Sequence, residues 1–507
     1  MKNALLVCSE IYPLIKTGGL ADFAFSYSRA LSEYMEPVVL VPGYGDLLAK
    51  LDNAELLCDV EGMNYPTQIL SARVPVSDVT LWVVHCPGLF DRPGNPYLDD
   101  LGVEYGDSPQ RYHHFCRVAV EIALDNLGLS WQPDVVHCND WHTGLVPAFL
   151  SEIDGAPPTV FTIHNLAYQG NYPNHLFEQL GIPWHWQDFE HLEYHGQLSF
   201  IKGGLVFADM ITTVSPGYAE DIQTDAFGCG LQGLLRHRSE SLRGILNGVD
   251  YDVWNPGTDP NLASNYDAGS LDDKSGNKLS LQKARGLGQG KSWFAIGFIG
   301  RLVHQKGIEL LVEAIRANLD KKIQWLIVGT GESYYEDQLR VLSEQYPDRV
   351  LVEIGYDEIF AHQVEAAADA FLMPSYYEPC GLNQLYSLKY ATVPIVSRTG
   401  GLRDSVMHAD KEALSLGIAT GFQFEVGDRE GMLDVIDQAA KKFRNKKVWR
   451  QLQLQGMAQD FSWEKSVQQY LAVYREAQQQ RLGIAVIADE EAATVGTAPA
   501  QATASAL

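Results

Sequence analysis

The chain has 507 residues with a formal net charge of −26, 46% of them apolar and 10% aromatic. That length exceeds what one hydrophobic core organises and predicts two or three domains. An acidic balance with scattered basic residues excludes a nucleic-acid phosphate footprint and an anionic membrane face, and is compatible with a neutral polymer as partner.

In chain order, the apolar run 4–8 passes straight into Glu10 with no small-residue cleavage site, so it reads as a buried first strand and not as a signal peptide. No apolar stretch approaches the roughly 20 residues that span a bilayer. Seven cysteines without C-x-x-C spacing predict reduced thiols, a cytoplasmic location and no zinc site. Short Val/Ile/Leu-rich runs then alternate with helical patterns. Residues 4–8, 37–41, 80–85, 135–137, 159–163 and 210–214 form one series. Residues 294–299, 324–328, 350–353, 370–373 and 394–397 form a second. Such runs predict parallel strands covered on both faces. Two series predict an α/β chain of two doubly wound, Rossmann-like domains, 1–250 and 251–461, facing a cleft. The turn-rich segment 247–256 marks the break. A helix over 462–480 closes the ordered chain, and the Ala/Thr-rich tail 488–507 reads as disordered.

Polar residues recur at the C-terminal ends of these strands, where open α/β sheets bind ligands. Lys16-Thr-Gly-Gly-Leu-Ala-Asp22 and Arg398-Thr-Gly-Gly-Leu-Arg-Asp404 echo one another, each after a strand and opening a helix. Gly18 and Gly19 beside Lys16, and Thr399, Gly400 and Gly401 in the second copy, would let backbone N–H groups approach an anion. Arg301 and Lys306 follow strand 294–299 and would supply two fixed cations to a leaving diphosphate without a metal. Asp140 stands beside Trp141 after one strand, and His164-Asn165 after another. His137, Asp140 and His142 resemble a metal set, but no Glu/His helical partner accompanies them. Asp250-Tyr-Asp252 reads as turn chemistry. His113-His114 and Trp184-His-Trp186 read equally as sugar-stacking or core residues. Glu378 lies between Pro374 and the helix expected after Gly381, so a carboxylate stands beside free N–H groups at a sheet edge.

Together these segments resemble the bacterial glycogen synthases and plant starch synthases, retaining glucosyltransferases of the GT-B type. The pieces that carry it are Lys16–Asp22, His137-Cys-Asn-Asp-Trp-His142, Thr162-Ile-His-Asn165, Val214-Ser-Pro216, Ile245-Leu-Asn-Gly248, Arg301–Gly307 and Glu378-Pro-Cys-Gly-Leu-Asn-Gln384, in the family's order over about residues 1–480. The resemblance implies glucose transfer from a nucleotide sugar to the non-reducing end of an α-1,4-glucan, with no metal or cofactor. Lys16 would contact the donor diphosphate, with Gly18, Gly19 and Asp22 in the same loop. Arg301 and Lys306 would hold its phosphates. Asp140, His164 and Asn165 would contact the glucose, and Glu378 would favour the oxocarbenium-like state. Backbone at Cys380, Gly381, Leu382, Thr399, Gly400 and Gly401 would touch phosphate or sugar. Asn247 would assist from the first domain, and Tyr356 would stack on the nucleobase. The last helix would cross back onto the first domain, and donor would close the cleft.

Two departures stand out. Phe25 and Ser28 occupy positions where the family usually has Gly and Pro, and Tyr376-Tyr377 replaces Arg-Phe before Glu378. ADP-glucose is the expected donor, and UDP-glucose stays open. A small-acceptor transferase of the same fold and a non-catalytic glucan-binding protein are the competing readings.

Overall fold

The computed structural model describes residues 1–51, 53–355 and 357–483. Two large sheets organise it. In the first, nine strands run in the spatial order Leu242–Gly244, Met210–Thr213, Thr159–Ile163, Val135–Asn139, Asn3–Val7, Glu36–Pro42, Thr80–His85, Gln68–Arg73, Glu55–Asp59. The first seven are parallel; six of them are the apolar runs read from the sequence, and the seventh, the half-buried edge strand Leu242–Gly244, is not among those runs. The last two add an antiparallel edge that a wholly parallel reading omits. Glu55–Asp59 is exposed at four of its five positions, so it carries no core signal. A small antiparallel sheet, Asn171–Pro173, Gln197–Ser199 and Glu193–Tyr194, is likewise absent from the apolar pattern.

The second sheet has six parallel strands in the order Val350–Ile354, Ile323–Gly329, Phe294–Ile299, Ala370–Met373, Val393–Ser397, Phe422–Phe424. Both sheets reverse their winding beside their first strand. The first does so between Asn3–Val7 and Val135–Asn139, the second between Phe294–Ile299 and Ala370–Met373. A crevice must open at each switch point, because the flanking connections leave in opposite directions.

The chain crosses between the two units twice, side by side. Val249 N–H donates to the Phe461 carbonyl at 2.7 Å. Trp254 is clamped between His362 and Tyr386, with ring centroids 3.8 and 3.9 Å away and planes nearly parallel, which pins the first crossing to the second unit. After the second crossing, helix Trp463–Arg481 packs its buried Val467, Tyr470 and Tyr474 against Leu6, Phe23 and Tyr27 of the first. Tyr27 OH donates to Tyr474 OH at 2.7 Å in that contact. Among the described residues no helix is long and apolar enough to cross a membrane. The tail 488–507 and Tyr356 lie outside the described residues.

Candidate active site

The site assembles from the strand ends at the two switch points. On the first sheet, strand Asn3–Val7 leads through the buried Glu10 into the Lys16 loop. Glu10 accepts hydrogen bonds from Thr17 N–H, from Thr17 Oγ1 at 2.6 Å, from Gly18 N–H at 3.3 Å and from Tyr97 OH. In this structure the Gly18 amide turns inward to that carboxylate. What the loop offers the cleft is the Lys16 ammonium, 2.7 Å from Asp22 Oδ1 and over the Tyr12 ring, and the open Gly18–Gly19 backbone, where an added Cβ would meet nothing within 4 Å. Burial pushes the Asp22 carboxyl up and Lys16 pulls it back.

Strand Val135–Asn139 delivers Asp140 with φ 59° and ψ 176°, a region that costs a non-glycine residue on the order of 1–3 kcal/mol. The strain aims its carboxylate at the next loop, where Oδ1 accepts His164 N–H at 2.7 Å and Asn165 N–H at 3.4 Å. His164 Nε2 meets Asn139 Oδ1 at 2.9 Å. An amide oxygen only accepts, so Nε2 carries the proton and Nδ1 is left as the acceptor. Burial lowers this imidazole to about 3, which keeps it neutral at working pH. Both His137 nitrogens are engaged, by Thr162 Oγ1 at 2.6 Å and Tyr474 OH at 2.8 Å, so His137 is a structural residue of the core. His114 is also inside, with Nε2 2.8 Å from Thr67 Oγ1, and Trp186 is buried while Trp184 is 84% exposed.

Burial drives the Asp140 carboxyl from its ordinary 3.8 up to about 7, against the His164 and Asn165 amides that lower it. A raised carboxyl means that the folded state holds the proton more tightly than the unfolded chain. Its burial therefore costs increasing stability as pH rises from 3.8 towards 7, and a constant amount above. Asp140→Asn keeps the accepting oxygen without the charge. The variant is expected to melt above the parent at pH 8, with the gap narrowing at pH 5. Parallel melting curves at both pH values check this, and equal gaps would contradict it.

On the second sheet, strand Phe294–Ile299 leads to Arg301 and Lys306. Gly307 follows at φ 67°, and a Cβ there would sit 2.1 Å from the Pro374 carbonyl. Only glycine lets the two loops of the switch point approach this closely. That approach puts Lys306 Nζ 2.6 Å from Glu378 Oε2, to which Ser375 Oγ also donates at 3.0 Å. Glu378 is 6% exposed. Gln305 bridges the loops as well, accepting from Arg301 Nη2 at 3.2 Å and Tyr376 N–H at 2.9 Å, and donating to the Tyr377 carbonyl at 3.1 Å. Tyr376 stacks on His304 with centroids 4.6 Å apart, and the Tyr377 hydroxyl approaches Asn165 of the first domain. The paired tyrosines thus brace the cation loop and reach across the cleft.

Cys380 is fully inside, and burial raises its thiol to about 12. Gly381 has φ 69°, Leu382 precedes helix Asn383–Lys389, and Asn383 Nδ2 donates to the Ile299 carbonyl at 2.6 Å. Lys16, Asp22, Phe25 and Asn247 face Leu382 and Asn383 across one cavity. Asn247 Oδ1 is buried there without a hydrogen-bond partner among the described residues, and Phe25 forms part of the wall, edge-on to Tyr12. The amides of the second Thr-Gly-Gly turn have partners within the chain. Gly400 N–H donates to Asp221 Oδ2 at 2.9 Å and Gly401 N–H to the Glu378 carbonyl at 3.2 Å. The two Thr-Gly-Gly turns are alike in one respect: a carboxylate from elsewhere in the chain accepts from the threonine hydroxyl and from the first glycine amide of each.

Two doubly wound sheets with cations and a carboxylate at facing switch points define a glycosyltransferase of the GT-B type. Residues 3–237 match the family model described as starch synthase catalytic domain, and residues 285–451 that of glycosyl transferases group 1. The chain is 47% identical over 474 residues to glycogen synthase 1 of Methylococcus capsulatus, spanning 93% of this chain and 96% of that protein. It is 47% identical over 480 residues to the glycogen synthase of Cellvibrio japonicus, spanning 94% and 99%. The solved catalytic domain of starch synthase IV from Arabidopsis thaliana, bound to ADP and acarbose, superposes with a TM-score of 0.84 at 29% identity, over 94% of this chain and 99% of that one. The chain belongs to the glycogen synthase family.

Proposed function

We propose that this glucosyltransferase moves glucose from ADP-glucose to the non-reducing end of an α-1,4-glucan, with retention and without a metal or cofactor. The observation that carries the reading is the Lys306–Glu378 pair at 2.6 Å on the second sheet's switch point. A cation and a buried carboxylate there match the two charges of the transition state, a diphosphate that gains negative charge and a sugar that gains positive charge. Lys306, Arg301 and Lys16 take the departing diphosphate. Glu378 stabilises the oxocarbenium-like carbon with the carboxylate oxygen that Lys306 leaves open. Neutral His164 and Asn165, held by Asp140, orient the sugar hydroxyls, and Asn247 supplies an unpaired acceptor. In this assignment Glu378 acts through its charge and forms no covalent bond to the sugar. Departure and attack then share one face, with a phosphate oxygen taking the acceptor's proton. The acceptor-side domain is 1–250 with the helix 462–480, and the nucleotide domain is 251–461. Reduced thiols at all seven cysteines fit a cytoplasmic enzyme.

The test is release of nucleoside diphosphate from ADP-glucose and from UDP-glucose, each with and without glycogen. ADP release that depends on glycogen, and exceeds UDP release by about tenfold or more, is the expected result. A reversed donor preference would overturn the ADP assignment. Glycogen-independent release would favour a small acceptor, and binding of glycogen with no release from either donor a non-catalytic protein.

A further inference from the structure

The segment Val214-Ser-Pro216 has no role in the site as assigned, yet it starts a helix placed between the two domains. Ser215 is fully buried and caps helix Pro216–Asp221, its Oγ accepting Tyr218 N–H at 3.0 Å. The same Oγ donates to the carbonyl of Pro379 at 2.6 Å, across 164 residues of sequence. At the other end of the helix, Asp221 Oδ2 accepts Gly400 N–H at 2.9 Å and Thr399 Oγ1 at 3.3 Å. Gly400 rests directly on the Glu378 carbonyl, where a Cβ would come within 2.1 Å, and Gly401 N–H donates to that carbonyl. Two hydrogen bonds from the first domain therefore bracket the main chain of Glu378, one on the residue after it and one on the turn beneath it. The helix also serves the sugar side, because Tyr218 OH accepts Leu166 N–H at 3.0 Å, directly after His164-Asn165. Asp404 Oδ2 returns the contact by accepting Gly217 N–H at 2.7 Å.

We propose that Ser215 and Asp221 are positioning residues for the transfer reaction, acting from the first domain to hold the Glu378–Gly381 segment of the second in register with the His164 loop. This rests on the role proposed for Glu378. Their hydrogen bonds exist only while the two domains are apposed, so catalytic register and domain apposition are one event. Each bond fixes backbone, not substrate. Losing one leaves the donor contacts intact and displaces the carboxylate, and misplacement of a reacting group by about 1 Å is worth around a hundredfold in rate.

The experiment compares Ser215→Ala, Asp221→Ala, Asp221→Asn and Glu378→Gln in the full chain, measuring kcat, the KM for ADP-glucose and the thermal midpoint. The expected result is a kcat lower by about 10- to 100-fold in the two alanine variants, with KM within about twofold and a thermal midpoint lowered by only a few degrees, so that the enzyme is fully folded at the assay temperature. Asp221→Asn keeps an acceptor for Gly400 N–H and should recover most of the loss. Wild-type kcat in both alanine variants, with Glu378→Gln impaired, overturns the positioning role and leaves the reading of Glu378 standing. A fall in kcat that tracks a fall in melting temperature, with no recovery in Asp221→Asn, reduces the contact to fold stability and also overturns the inference. Wild-type kcat in Glu378→Gln overturns the reading of Glu378 and the inference with it.

Discussion

Glu378→Gln is expected to lower kcat by roughly 100- to 1,000-fold while leaving the KM for ADP-glucose nearly unchanged. The substitution keeps the volume of the side chain and one accepting oxygen, so the cleft stays filled. What it removes is the negative charge, 6% exposed and held at 2.6 Å by Lys306 and 3.0 Å by Ser375. Both donors approach Oε2, which leaves Oε1 for the sugar. In the ground state the glucosyl carbon is neutral and gains little from that charge. In the transition state it is cationic and gains much, because the carboxylate is buried and its charge is little screened. The effect must therefore fall on kcat. Initial rates of ADP release with saturating glycogen decide it, and a variant that turns over at the parental rate removes Glu378 from the mechanism.

Much of this site is legible in the sequence because both sheets place it at strand ends. The apolar runs at 4–8, 135–137, 159–163, 294–299 and 370–373 are each followed by residues assigned to the site, and the order of the runs predicts doubly wound sheets. Lys306 and Glu378 are 72 residues apart, yet each sits on the connection that leaves one side of the same switch point. Their meeting follows from topology. Arg301, Asp140 and His164 follow the same rule.

What stays hidden is pairing between loops. Nothing in Thr17-Gly18 says that its amides are already taken by Glu10, a carboxylate read only as the end of a strand. Gly400 looks like an anion loop for the same reason, and its partner Asp221 lies 179 residues away in the other domain. Periodicity reports which face of an element is buried, and it carries no record of which distant carboxylate caps which turn. The antiparallel edge strands escape for a related reason, since Glu55–Asp59 is exposed at four of its five positions and carries no buried face for periodicity to report. Phe25 and Tyr377 land in the cleft wall and beside Asn165. Their chemistry is visible in sequence and their neighbours are not.

Lys306→Ala should cost a similar 100- to 1,000-fold in kcat, roughly what removal of one preorganised donor costs elsewhere, but for two reasons at once. The first is loss of the cation that meets the departing diphosphate. The second is local: with Lys306 gone, Glu378 keeps only the Ser375 hydroxyl as a donor in a buried setting, and an uncompensated charge there reorganises or neutralises. Lys306→Arg does not restore the parent, because a planar fork does not reproduce a point contact of 2.6 Å. The two reasons separate in a double-mutant cycle. If Lys306 acted on the diphosphate alone and Glu378 on the sugar alone, their losses would multiply. Direct contact predicts otherwise: the double variant Lys306→Ala/Glu378→Gln should be slower than either single variant by much less than the product of the two losses, because removing the glutamate charge relieves the penalty of the missing lysine. Multiplicative losses would show that the pair is adjacent without being coupled. The carboxylate would then have to be held for catalysis by Ser375 and by the main-chain brackets at Pro379 and Gly400.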